Sequence, residues 1–169
     1  MKTVQNFGLM YILMVVGQMF ICNYFHLSMY VSLTILPAIM LCIPLSAGTI
    51  TAMLIAFASG LAVDALSDSV LGLNALSLVP VALCRKPVIR LFLGDEIIER
   101  KESFSFRQNG FMKIAGMTAI CLSVFLLIYI TADGAGVRPL WFNAARFAAS
   151  LTCSWLLSLL VINILTSAD

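Results

Sequence analysis

The sequence predicts an all-α membrane protein, one bundle of about six transmembrane helices with both termini in the cytoplasm. Composition is the first observation: 62% of the 169 residues are hydrophobic and 11% are charged, whereas about 25% are charged in ordinary soluble domains. The second is that residues 3–63, 114–132 and 147–168 contain no Asp, Glu, Lys or Arg. A bilayer core of about 30 Å needs about 20 apolar residues per helix, so these stretches hold several spans. A soluble globule, a disordered chain and a nucleic-acid-binding domain are excluded.

Polar and proline residues divide the first charge-free stretch into three spans. The first span covers about residues 6–24, and the second covers about residues 29–44 with Pro37 inside it. Proline is tolerated within a membrane helix because neighbouring helices satisfy the carbonyl group that it frees. The third span, about residues 47–66, is rich in Ala, Ser and Gly. Small residues let helix backbones approach closely, so we expect this helix at the centre of the bundle.

Three further spans complete a single integral-membrane domain over residues 1–169. The fourth, about residues 70–91, has a short apolar segment that ends at Arg85 and Lys86. Either these two side chains extend to the membrane surface, or the helix is partly buried behind its neighbours. The fifth span covers about residues 110–131 and the sixth about residues 141–165.

The basic residues give the orientation. Seven of the ten Lys and Arg residues lie in the segment 85–113, and the positive-inside rule places that segment in the cytoplasm. With six spans, both termini then lie on the same side. Apolar residues recur at near-helical spacing among these charges, which predicts an amphipathic helix on the inner membrane surface. Docking of a cytoplasmic partner is the alternative.

Asp64 and Asp68 are the first acidic residues of the chain, and they close the third span. An ionisable residue at membrane depth is a candidate functional residue. Their spacing of four would put both carboxylates on one helix face, as a divalent-cation site in a membrane phosphotransferase requires. No third acid is near them in sequence, and the alternative is that both are solvated residues of an outer turn. We therefore expect no metal.

Asp64 is surrounded by apolar residues, and a buried carboxylate is costly without a partner. Arg146 lies near the same outer face, on the otherwise apolar sixth span. We predict that Arg146 pairs with Asp64 or Asp68. The alternative is that Arg146 extends to the lipid headgroups.

Catalytic signatures are lacking in the sequence. The five cysteines are scattered singly through apolar segments, a distribution typical of packing and not of metal or redox chemistry. We find no nucleophile motif and no phosphate-binding glycine loop. We therefore expect no enzymatic activity and no cofactor.

The segment 60–77, GLAVDALSDSVLGLNALS, resembles the signature of the rod-shape-determining protein MreD family. In that family a Gly-Leu-x-x-Asp helix end meets a short Ser-containing turn, and a Leu-Gly-x-x-Ala segment opens the next helix. The matching positions are Gly60, Leu61, Asp64, Ser67, Leu71, Gly72, Asn74 and Ala75, and Asp68 lies within the same turn. The segment 85–113 departs from the family because it is longer than the usual connections.

This resemblance implies a non-catalytic scaffold of the bacterial cell-elongation machinery in the inner membrane, supporting rod shape and lateral peptidoglycan synthesis. It implies direct binding to MreC. Through that complex it implies association with MreB, RodA and a class B penicillin-binding transpeptidase, beside membrane lipid and without nucleic acid.

The MreD family is similar in fold to the membrane substrate-binding subunits of energy-coupling-factor transporters. A small-molecule-binding subunit of a transporter is therefore the alternative function. Its outer pocket would draw on Asn23, Tyr24, His26, Asp64, Asn74, Asp133 and Arg138.

Overall fold

The computed structural model describes residues 2–24, 31–45, 47–67, 70–94, 110–134 and 139–167. Within these ranges the regular structure is helical, and there is no β-strand. The six helices are α1 (Lys2–Tyr24), α2 (Leu36–Leu41), α3 (Thr49–Leu66), α4 (Leu73–Leu93), α5 (Phe111–Gly134) and α6 (Leu140–Ser167).

Three of these helices are long and apolar enough to cross a membrane: α3, α5 and the part of α6 from Leu140 to Asn163. A shorter apolar segment, Gly8–Tyr24, lies in α1. Of the apolar residues that predict the amphipathic surface helix, Val88, Ile89, Phe92 and Leu93 belong to the end of α4, with Val88 and Ile89 buried. The others, Ile97 and Ile98, lie outside the described ranges. The all-helical class is therefore confirmed, whereas the count of six spans and the position of the termini stay predictions.

The chain between α1 and α3 differs from the predicted second span. Instead of a helix over 29–44, the described residues form the six-residue α2, which follows non-helical backbone over 32–35. Pro37 lies in the first turn of α2, where its missing N–H removes no intrahelical hydrogen bond. All six residues of α2 are buried, so this segment is a core element of the bundle.

Side chains from α1 and α6 satisfy the backbone of the segment 32–35. Its N–H groups donate as follows: Ser32 to Ser150 Oγ at 2.9 Å, Thr34 to Ser154 Oγ at 3.1 Å and Ile35 to Gln18 Oε1 at 2.7 Å. The carbonyl of Leu33 accepts a hydrogen bond from Gln18 Nε2 at 3.1 Å. Buried backbone N–H and C=O groups need hydrogen-bond partners, and these side chains provide them for the non-helical segment.

Helices that follow one another along the chain also pack together. The most extensive contacts join α3 to α4, α4 to α5 and α5 to α6, and α1 packs against α3. The short α2 contacts all five longer helices. The core therefore forms around α2, with the turn between α3 and α4 at one end of the most closely packed helix pair.

Candidate functional site: the α3–α4 turn and the Arg146 cluster

Asp64, in the last turn of α3, caps the first turn of α4. Its side chain is buried, with 2% exposed. The carboxylate accepts hydrogen bonds from the backbone N–H of Asn74 at 3.1 Å, from the N–H of Ala75 at 3.3 Å and from Asn74 Nδ2 at 2.8 Å. The first N–H groups of a helix lack intrahelical partners. Leu73 N–H donates to the carbonyl of Val70, so Asp64 supplies acceptors to the next two donors.

The electrostatics of this cap explain how a carboxylate is accommodated inside the bundle. The N-terminus of a helix carries a partial positive charge, which stabilises a nearby anion. Hydrogen bonds from N–H groups to a carboxylate are also stronger than those between neutral groups. The prediction that Asp64 needs a partner is therefore met by the end of a helix together with the Asn74 amide.

Two glycines give the turn its shape. A Cβ atom at Gly60 would lie 2.5 Å from Ala75 Cα, so only glycine allows the backbones of α3 and α4 to touch there. Gly60 precedes Asp64 by one helical turn and therefore shares its face. Gly72, at the N-cap position of α4, has a φ of 90°, a left-handed conformation that favours glycine. Together these residues join the two helices into one unit.

The remaining motif residues have different positions. Ser67 ends α3: its N–H and its hydroxyl both donate to the carbonyl of Val63, at 2.9 and 2.7 Å. Leu61 and Leu71 are exposed and take no part in the cap. Asp68 lies outside the described residues, so the predicted pairing of Arg146 with Asp68 stays a prediction.

The predicted ion pair between Arg146 and Asp64 is wrong. Arg146, on α6, forms a salt bridge with Asp133 near the end of α5, and its Nη2 donates to Ser32 Oγ at 2.9 Å. Asp133 and Arg146 flank the connection between α5 and α6, so the antiparallel chain reversal brings them together. The guanidinium therefore points into a cluster of polar groups at this end of the bundle.

The guanidinium of Arg85 also lies among protein groups. Of the two alternatives for the fourth span, the structure favours a partly buried helix, because Arg85 is only 2% exposed. Its Nη2 lies 3.5 Å from the carbonyl oxygen of Leu41, at the C-terminal end of α2. Helix C-termini carry a partial negative charge that favours a cation.

Sequence reasoning missed the buried polar residues that hold the non-helical segment. Gln18, Ser150 and Ser154 are buried, and they are not among the predicted site residues. A signal was present, because Ser150, Ser154 and Ser158 recur every four residues on an apolar helix. Such a repeat places the three hydroxyls on one face.

The described residues proposed for an outer ligand pocket either contact protein groups or are exposed. Asp64 and Asn74 bind each other, Asp133 binds Arg146, and Tyr24 is exposed. His26 and Arg138 lie outside the described ranges. An open apolar hollow beside Trp141, Ala144 and Ala145 has almost no polar lining. The described residues contain no group of three or more His, Cys, Asp or Glu side chains that could hold a metal ion.

Fold and site together define an all-helical protein with three helices suited to cross a membrane. Compared with protein-family models, curated proteins and solved structures, the chain gives no significant match to any of them.

Proposed function

We propose that this chain is a non-catalytic, multi-pass scaffold of the bacterial inner membrane, similar to MreD. It binds the membrane-anchored protein MreC directly. Through MreC it works with MreB, RodA and a class B penicillin-binding transpeptidase in rod-shape maintenance and lateral peptidoglycan synthesis.

The geometry of the motif at 60–77 is the observation that carries this proposal. Asp64, the acid most suited to catalysis by its depth, is engaged by three donors of α4. Gly60 serves the contact with Ala75. A motif whose polar and small residues serve to join two helices suits a scaffold better than an enzyme.

The exposed face of α3 is the surface that we assign to MreC. Large apolar side chains recur on it at helical spacing: Ile50, Leu54, Phe57 and Leu61. Gly60 and Asp64 lie beside this row on the helix surface and hold α3 against α4. The cap therefore fixes the direction in which the exposed face points, and a transmembrane helix of MreC would pack along it.

Co-purification in detergent with a co-expressed MreC tests the proposal. The wild-type chain should retain MreC, and the double variant Leu54→Ala/Phe57→Ala should lose most of it. The matched control is Leu156→Ala/Leu160→Ala, which removes equally exposed side chains from α6 and should leave recovery unchanged. A folded wild-type chain that never retains MreC would contradict the assignment. Mass spectrometry of the same sample would then look for the bound small molecule that a transporter subunit requires.

A further inference from the structure

Two prolines lie inside α4, Pro80 and Pro87. Proline has no backbone N–H, so each one removes the helical hydrogen-bond donor of the carbonyl group four residues earlier. Those two carbonyl groups belong to Leu76 and Leu83, and Leu83 is the middle residue of the helix. Helix α4 therefore has two backbone acceptors without their usual helical donor, one of them halfway along its length.

The two prolines and the two leucines occupy the outer face of α4. The side chains of Leu76 and Leu83 are 58% and 53% exposed, while Pro87 is exposed and Pro80 is half-buried. Residues three, four and seven apart share one face of a helix, so these four positions form one continuous strip. Between Leu76 and Pro87, the exposed residues of α4 are the two leucines and Pro87 itself, and their side chains have no hydrogen-bond donor.

Lipid hydrocarbon supplies no donor to such a carbonyl group. Helix α4 packs against α3 and α5, and both of these are long and apolar enough to cross a membrane. In membrane helices, the groups that proline frees are satisfied by neighbouring helices and by Ser and Thr side chains. A second copy of this chain packed through the same strip would bring only leucine and proline side chains. A helix of a different protein, with hydroxyl or amide side chains, fits the strip better.

The strip continues the α3 surface that we assign to the partner. Gly60 of α3 lies against Ala75 of α4, and the next residue of each helix, Leu61 or Leu76, is exposed. One residue corresponds to a rotation of about 100° about the helix axis. Because α3 and α4 form an antiparallel hairpin, equal rotations turn both leucines to the same side of the pair. One transmembrane helix can therefore contact α3 and α4 together.

We infer that a transmembrane helix of the partner lies along α3 and α4, and that its hydroxyl or amide side chains donate hydrogen bonds to the carbonyl groups of Leu76 and Leu83. The two acceptors are about 10 Å apart along the helix axis, at about 1.5 Å per residue. The donors on the partner helix should therefore be about two helical turns apart, on one face. This inference rests on the proposed function, because MreC is the partner with which it is tested.

Replacing the two prolines returns the missing N–H groups to α4 and makes the donors of the partner redundant. Titration of the labelled full chain with purified MreC in detergent measures the affinity. A hydrogen bond between membrane helices contributes about threefold to affinity, so Pro80→Ala/Pro87→Ala should weaken binding by about tenfold. The matched control is Pro139→Ala. Pro139 is exposed and precedes α6, so it interrupts no helix and its replacement should leave the affinity unchanged.

Thermal unfolding of the chain alone separates a lost contact from a damaged helix. Alanine has a higher helix propensity than proline, so the midpoint of Pro80→Ala/Pro87→Ala should stay the same or rise while its affinity for MreC falls. A fall in both quantities would assign the prolines to the shape of α4 and would overturn the inference.

Variants of MreC test the donors directly. Each Ser, Thr, Asn and Gln of its transmembrane segment is replaced in turn by Ala. Loss of a donor should weaken binding to the wild-type chain about threefold, and it should not weaken binding to Pro80→Ala/Pro87→Ala any further. Equal affinity of MreC for the wild type and the double variant would overturn the inference and leave the scaffold proposal standing. A folded wild-type chain that never binds MreC contradicts the scaffold proposal, and the inferred contact with it.

Discussion

The carboxylate of Asp64 accepts the backbone N–H of Asn74 at 3.1 Å, so the last turn of one helix caps the first turn of the next. The same two residues are also joined through the side-chain amide of Asn74. The sequence marks Asp64 as an acid among apolar neighbours. The N-terminus of α4 explains how this buried carboxylate is stabilised. This relationship, and the contacts around it, lead to predictions that can be measured in detergent solution.

Replacing Asp64 should destabilise the chain. Asp64→Ala leaves the N–H groups of Asn74 and Ala75 without their acceptor, and we expect a loss of about 1–2 kcal/mol in the free energy of unfolding. Asn74→Ala removes only the side-chain donor and should cost less. Chemical denaturation of the purified protein measures both. Equal stability of Asp64→Ala and wild type would contradict the capping role.

Gly60 should tolerate no side chain. A methyl group there would lie 2.5 Å from Ala75 Cα, which forces α3 and α4 apart, and we expect Gly60→Ala to cost about 1–3 kcal/mol. Gly17→Ala on α1 is the matched control, because a Cβ at Gly17 meets nothing within 4 Å. The thermal midpoint should fall for Gly60→Ala and stay near that of the wild type for Gly17→Ala. A similar midpoint for both variants would argue against backbone contact.

A double-mutant cycle should find coupling between Arg146 and Asp133. Removing one member leaves the other charge in a largely buried site, and we expect Arg146→Met to cost about 3 kcal/mol. The cycle with Asp133→Asn should give a coupling energy of about 1 kcal/mol or more. The cycle of Arg146→Met with Asp64→Ala should be additive to within about 0.5 kcal/mol. Strong coupling to Asp64 would restore the pairing that the structure rejects.

Ser154 should matter more than its exposed neighbour Thr152. Ser154 Oγ accepts the N–H of Thr34, so Ser154→Ala leaves a buried donor unsatisfied, at about 1–3 kcal/mol. The hydroxyl of Thr152 bonds only carbonyls of its own helix, so Thr152→Ala should change stability by about 0.5 kcal/mol or less. Denaturation midpoints of the two variants give the comparison. A larger loss for Thr152→Ala would contradict the role assigned to Ser154.

Sequence reasoning succeeded where composition and residue type carry the information. The apolar helices and the special position of Asp64 follow from segregation of charge and from an acid among apolar neighbours. The partner of Asp64 could not be predicted in the same way, because its donors are mainly backbone N–H groups, which every residue except proline possesses. Arg146 is the cation that the sequence offers as a partner for Asp64, but in the structure it pairs with Asp133.

The described part of the predicted second span is not a continuous helix, and the sequence does not indicate this for a related reason. Hydropathy shows that residues 29–44 are apolar. It contains no information about which backbone groups form hydrogen bonds with residues outside their own segment. The acceptors for Ser32 and Thr34 lie on α6, more than one hundred residues later. Long-range pairing of that kind leaves no local pattern in the segment that it organises.

That separation sets the order in which the molecule can be completed during synthesis. Ser32 and Thr34 leave the ribosome long before Ser150 and Ser154 are translated. Their N–H groups therefore gain these two hydroxyl acceptors only after α6 has been made. Until α6 is present, these N–H groups need another source of hydrogen bonds. Helix α6 therefore completes the hydrogen bonding of a segment in the first third of the chain. A nascent chain interrupted before α6 lacks the acceptors for Ser32 and Thr34.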